Sequence, residues 1–117
     1  MRDPVEITLR GIAHSAALER YIGDQARKLN RICDRLQSCH VVAEALQRPK
    51  QQGSHFAVRL NVTLPGTEVV VNREHGEDVY NAVSDAFDAA GLQLEDYVRR
   101  QSHSEPRSPN GGSQPPK

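Results

Sequence analysis

The chain has 117 residues, of which 37% are apolar, enough for one ordinary core and short of two domains. Fifteen Lys and Arg against fifteen Asp and Glu leave no formal net charge, so composition alone does not announce a nucleic-acid binder and any such role must come from local patches. No apolar run approaches the roughly 18 residues of a membrane span, and Met1-Arg2-Asp3-Pro4 opens without the apolar stretch of a secretory signal, so a cytoplasmic protein with no membrane partner is expected.

In chain order, Val5-Glu6-Ile7-Thr8-Leu9 alternates apolar and polar residues at period two and is followed by Gly11, the pattern of a half-buried strand. From Ser15, which suits an N-cap, the period lengthens: Leu18, Tyr21, Ile22, Ala26, Leu29, Ile32, Cys33 and Leu36 fall three or four apart. This predicts an amphipathic helix of about twenty residues, in which Gly23 costs roughly 1 kcal/mol against Ala. Cys39 to Leu46, rich in Val and Ala, reads as a second strand, and Arg48 to Ser54 as a polar loop. Phe56, Val58, Leu60, Val62 and Leu64 alternate with Ala57, Arg59, Asn61 and Thr63 in the clearest strand of the chain. Pro65-Gly66 suits the centre of a type II turn, with Glu68 to Asn72 pairing back.

Asp78 to Gln101 predicts a second helix, with Glu77 and Asp78 near its positive end and Arg99 and Arg100 near its negative end. Its buried stripe is Val79, Val83, Ala86, Phe87, Ala90, Leu94, Tyr97 and Val98, and Gly91 is where a kink or break would fall. Residues 102–117 hold four Pro, four Ser and two Gly with no apolar side chain, so a domain over 1–101 and a disordered tail over 102–117 are expected. The order β-α-β-β-β-α makes an α+β fold, a four-stranded sheet with two helices packed on one face. It resembles a double-stranded-RNA-binding domain with an added first strand.

On a helical wheel with Arg20 at zero, Arg27 falls at roughly −20°, Arg31 at 20°, Arg35 at 60° and Lys28 at 80°. Leu18, Ile22, Leu29 and Leu36 lie near the opposite pole, so the solvent face of helix one is a cationic stripe interrupted by Asp24. The outer face of helix two carries Asn81, Asp85, Asp88, Leu92, Glu95, Asp96 and Arg99 and is mostly acidic. Residues 1–50 hold nine cations and six anions and residues 51–101 four and eight, a bipolar molecule. A phosphate-rich partner therefore belongs on Arg20, Arg27, Lys28, Arg31 and Arg35, with Arg59 and Arg73 on the sheet and Arg99 and Arg100 at the end of helix two as further RNA-contact candidates. Tyr21, Tyr80, Tyr97, Phe56 and Phe87 all fall at or beside apolar stripes, Tyr80 being read as core packing. Few aromatics are left to stack on bases, which favours contact with phosphates and groove shape.

Enzyme signatures are missing: there is no phosphate-binding glycine loop, GxSxG or HExxH. Cys39 and His40 are adjacent, and adjacent strand residues point to opposite faces, which disfavours a nucleophilic couple. Cys33 and Cys39, six positions apart, fit neither a CxxC pair nor a disulfide framework and read as free thiols. No two of His14, His40, His55, His75 and His103 stand at a close ligand spacing. No metal, cofactor or small-molecule substrate is expected.

The ordered set Val5-Glu6-Ile7, Leu18-x-x-Tyr21-Ile22, Lys28-Leu29, Asp34-Arg35, the strand from Phe56 to Thr63 and Glu77-Asp78-Val79-Tyr80-Asn81-Ala82-Val83 resembles the short ribosome hibernation-promoting factors and ribosome-associated inhibitors. The resemblance implies a non-enzymatic factor that binds the small ribosomal subunit through its RNA. It also implies occupation of the channel of messenger and transfer RNA and silencing of translation in stationary phase or stress. Lys28 and Arg35 match basic positions of that family's first helix, and Asp78 and Tyr80 match the acidic-x-aromatic start of its second. The last sixteen residues are too few for the dimerising domain of long-form members, so a short form is expected. Where the family carries Lys or Arg along the exposed face of helix two, this chain has Ala89, Leu92 and Asp96. That departure keeps open an alternative, a diverged protein-interaction module on the same fold with a protein partner and weak or no ribosome binding.

Overall fold

The computed structural model describes residues 5–46, 55–75 and 78–104. Its elements are β1 (Val5–Arg10), α1 (Ala16–Ile32), β2 (Ser38–Leu46), β3 (His55–Leu64), β4 (Thr67–His75) and α2 (Val79–Ser104). This is the order that the periodicities give. The expected loop over Arg48 to Ser54, Glu77, and residues 105–117 of the expected tail over 102–117 lie outside the described residues, whereas residues 102–104 correct that expectation by continuing α2 as helix.

The strands form one sheet in the order β1-β2-β3-β4, with β1 parallel to β2 and the other pairs antiparallel. A parallel neighbour requires a crossover, and α1 is that crossover. Strand alternation puts Cys39, Val41 and Ala43 of β2, Val58, Leu60, Val62 and Leu64 of β3, and Val69 and Val71 of β4 on one face, all buried. Leu18, Ile22, Ala26 and Leu29 of α1 and Ala82, Val83, Ala86, Phe87, Ala90 and Leu94 of α2 close over that face and form a single core with it. No described element covers the other face of the sheet. Between β3 and β4, Gly66 has φ +79°. Proline at position 65 cannot take positive φ, so the positive value at the second central residue makes this the expected type II turn.

Helix α1 starts as expected, with Ser15 extended and its Oγ accepting from the Leu18 N–H at 3.1 Å. Its end corrects the sequence reading. The Cys33 N–H closes the last turn on the Leu29 carbonyl, after which Cys33 turns extended at φ −143°. Arg35 and Leu36 therefore leave the helix, Arg35 standing on a turn and Leu36 dropping into the core from the loop. Leu36 keeps the apolar period because it serves the same core, not because it is helical.

Helix α2 is continuous through Gly91 and runs to Ser104, so no break occurs where glycine would allow one. Its start is capped by Asp78, whose Oδ1 accepts from the Tyr80 N–H at 2.9 Å. A Cβ at Gly91 would lie 3.4 Å from Ile32 Cδ1, at the edge of ordinary contact, so Gly91 marks where the two helices approach. β4 is parallel to β2 and hence to β1, so α1 and α2, each running back from its strand, are parallel to each other. Tyr21 stacks edge-on against Tyr80 at 5.1 Å, and Ile32 meets Gly91. Both contacts join residues 59 apart in sequence, so the helices keep one register along their length. Tyr80 thus corrects the expectation of core packing: at 36% exposure it lines the helix seam instead.

Candidate nucleic-acid interface

Burial of Leu18, Ile22 and Leu29 fixes the roll of α1, and the turn geometry then sends Arg20, Arg27, Lys28 and Arg31 outward. All four are exposed. They differ in what holds them. Arg27 is hydrogen-bonded to Asp24 one turn earlier. Among the described residues Arg20, Lys28, Arg31 and Arg35 make no ion pair, and a guanidinium or ammonium with no carboxylate partner can take a phosphate without first breaking a bridge.

Because the helices are parallel, their C-terminal turns arrive at the same end of the molecule. Arg31 and Arg35 flank a groove of about 400 Å³ there, whose other wall is Tyr97, Val98 and Gln101. Displacement from the helix thus leaves Arg35 beside Arg31. Arg99 and Arg100 follow on that wall, but both reach back to one carboxylate: Arg100 Nη2 lies 2.8 Å and Arg99 Nη2 3.4 Å from Asp96. These pairings were legible as spacings of three and four residues, Asp24 to Arg27, Asp96 to Arg99 and Asp96 to Arg100.

The two sheet candidates lie elsewhere. Arg59 is on the uncovered face, its Nε donating to Asn61 Oδ1 at 3.2 Å while Asn61 donates to Glu68 at 2.7 Å, and Glu44 and Glu74 line the same depression. That face points away from α1, so Arg59 cannot share a flat footprint with the stripe. Arg73 lies opposite Val58, a core-facing position, and its Nε meets Asp85 of α2 at 3.5 Å. The structure therefore brings together Arg20, Arg27, Lys28, Arg31 and Arg35, places Arg99 and Arg100 near the end of that surface, and separates Arg59 and Arg73 from it.

The feature that no sequence period announced is the seam between the helices. Leu29, Ile32, Phe87 and Gly91 floor a groove of about 380 Å³, with Lys28 on the α1 lip and Asp88 and Glu95 on the α2 lip. Leu92, 68% exposed, stands beside it. Cys33 and Cys39 are buried free thiols, and burial pushes the Cys39 thiol from its ordinary 9.0 up to about 12. No cluster of three metal-ligating side chains occurs among the described residues, and none of their helices is long and apolar enough to cross a membrane.

The family described as Sigma 54 modulation protein / S30EA ribosomal protein matches residues 5–102. No curated protein sequence matches significantly. The fold is similar to that of a ribosomal subunit interface protein from Coxiella burnetii, with a TM-score of 0.67 and 24% identity over 83% of this chain and 99% of that one. It is also similar to the N-terminal domain of Protein Y from Thermus thermophilus, with a TM-score of 0.64 and 20% identity over 81% of this chain and 99% of that one.

Proposed function

Since this chain belongs to the Sigma 54 modulation protein / S30EA ribosomal protein family, whose members are ribosome-associated binding factors and not enzymes, we propose that it silences translation by binding the RNA of the small ribosomal subunit. In this reading the protein is cytoplasmic and occupies the channel of messenger and transfer RNA under stress or in stationary phase. The observation that supports it is the set of unpaired cations, Arg20, Lys28, Arg31 and Arg35, on one exposed surface of α1 and the turn after it. Arg27 sits within that surface, and Arg99 and Arg100 border it. A-form RNA offers phosphates and 2′-hydroxyls at its surface and hides base edges in a deep groove, which suits a surface with cations and few free aromatics. The test is co-sedimentation with small subunits at low salt, in which the native chain pellets and a variant with Arg20, Lys28 and Arg31 changed to Glu stays in the supernatant.

A second reading, a protein-interaction module on the same fold, draws on Leu92 at 68% exposure between Asp88 and Glu95, neither of which has an ion-pair partner among the described residues. It predicts that a variant with Asp88 and Glu95 changed to Lys loses a protein partner while ribosome pelleting of the native chain is absent.

A further inference from the structure

The outer surface of the helix layer carries two opposite stripes side by side. On α1 stand Arg20, Lys28 and Arg31; on α2 stand Asp88 and Glu95, with Leu92 between them, and the apolar groove runs along the boundary. The helices are parallel and in constant register, so each stripe has a defined height against the other: residue n of α1 lies level with residue n + 59 of α2, as Tyr21 with Tyr80 and Ile32 with Gly91 show. Such a surface is complementary to itself under one symmetry operation. A two-fold axis parallel to the helices and above the groove carries α1 of one copy onto α2 of the other at unchanged height. An axis perpendicular to the helices in the same plane would instead set α1 on α1, cation against cation.

We propose that a second copy of this chain docks on the helix layer about the parallel axis, closing a symmetric dimer in which each α1 lies over the other's α2. The register sets the contacts. Lys28 of the second copy comes level with Phe87 and Asp88, and Arg31 of the second copy comes level with Ala90, between Asp88 and Glu95. Leu92, level with Cys33 of the second copy, lies over that copy's Ile32 and covers the groove. The two-fold axis makes the same set twice, once from each copy, so four cations meet four carboxylates that lack intramolecular ion pairs among the described residues. Exposed apolar surface at Leu92 and along the two grooves leaves water in the same step. With the RNA reading above, the dimer is a closed form, because it covers the α1 cations that the phosphates need.

The test is made without ribosomes, so that its failure is separate from a failure of the RNA reading. Sedimentation velocity of the full chain at low salt should show a concentration-dependent monomer–dimer equilibrium that shifts to monomer at about 0.5 M salt, where screening is nearly complete beyond contact distance. Two variants then decide the geometry. Lys28→Glu with Arg31→Glu leaves both helices acidic along the contacting stretch, and Asp88→Lys with Glu95→Lys leaves both basic there. Each alone should be monomeric, and an equimolar mixture should regain the dimer, because the parallel axis sets each altered stripe against its complement. A mixture that stays monomeric while the native chain dimerises, a native chain that is monomeric at every concentration, or a dimer unchanged by either pair of substitutions overturns the proposal. Circular dichroism of both variants confirms folding, and recovery in the mixture is a gain that a misfolded chain cannot give.

Discussion

At Cys39 burial sets the chemistry. The side chain is 1% exposed, between Val5 on β1 and Val62 on β3, and its thiol ionises only near 12. The folded chain therefore keeps a proton that the unfolded chain releases above 9.0. The sign follows from which state binds more protons: this group's contribution to stability is complete below pH 9 and is lost as the pH rises from 9 towards 12. Melting temperature at pH 8 to 11 should fall more steeply for the native chain than for Cys39→Ala, and iodoacetamide at neutral pH should leave Cys39 unmodified until the chain is unfolded. Two glycines have opposite requirements. Gly66 needs its φ of +79°, so Gly66→Ala should lower stability by about 1 to 2 kcal/mol in chemical denaturation. Gly23 is helical, and a Cβ there would meet only the flexible Arg27 Nη1 at 3.9 Å, so Gly23→Ala should raise stability by about 1 kcal/mol.

Among the elements, those whose own sequence signals agreed with their tertiary role were legible beforehand. Ser15 ahead of the first apolar period marked the start of α1, Phe56 to Leu64 alternated without fault, and Pro65-Gly66 fixed the hairpin turn. Ser15→Ala and Asp78→Ala should each cost about 1 kcal/mol, measured by thermal unfolding, because each leaves a first-turn N–H without its acceptor. The end of α1 was not legible, since Leu36 enters the core from a loop at the interval a helix would use and no glycine or proline marks the stop. The candidate site was legible as a stripe, and its pairs within one helix as spacings, while its grading across elements was not: residue type alone does not say that Arg73 is drawn to Asp85 on another element, or that Arg59 faces away. That grading carries a prediction. Changing Arg20, Lys28 and Arg31 to Glu should abolish ribosome pelleting, whereas Arg99→Ala with Arg100→Ala should weaken it less than about threefold, because both guanidinia are already engaged by Asp96.

For the molecule as a whole, zero net charge leaves association governed by one surface. Four unpaired cations release few counterions, so the slope of log K against log salt for RNA binding should be about −3 to −4, and affinity that is flat between about 50 and 200 mM salt would contradict the surface assigned here. The topology also bears on how the chain reaches its fold. Leu64 and Thr67 pair across three residues, while Val5 pairs with Cys39 across 34, with α1 in the intervening chain. Closing the longer loop costs more entropy before any contact repays it, so the β2-β3-β4 meander should assemble first and β1 should dock last. During refolding, hydrogen-exchange protection would then reach β1 after β3, and a newly made chain would have to finish α1, the helix with the exposed cationic stripe, before its sheet gained its final edge.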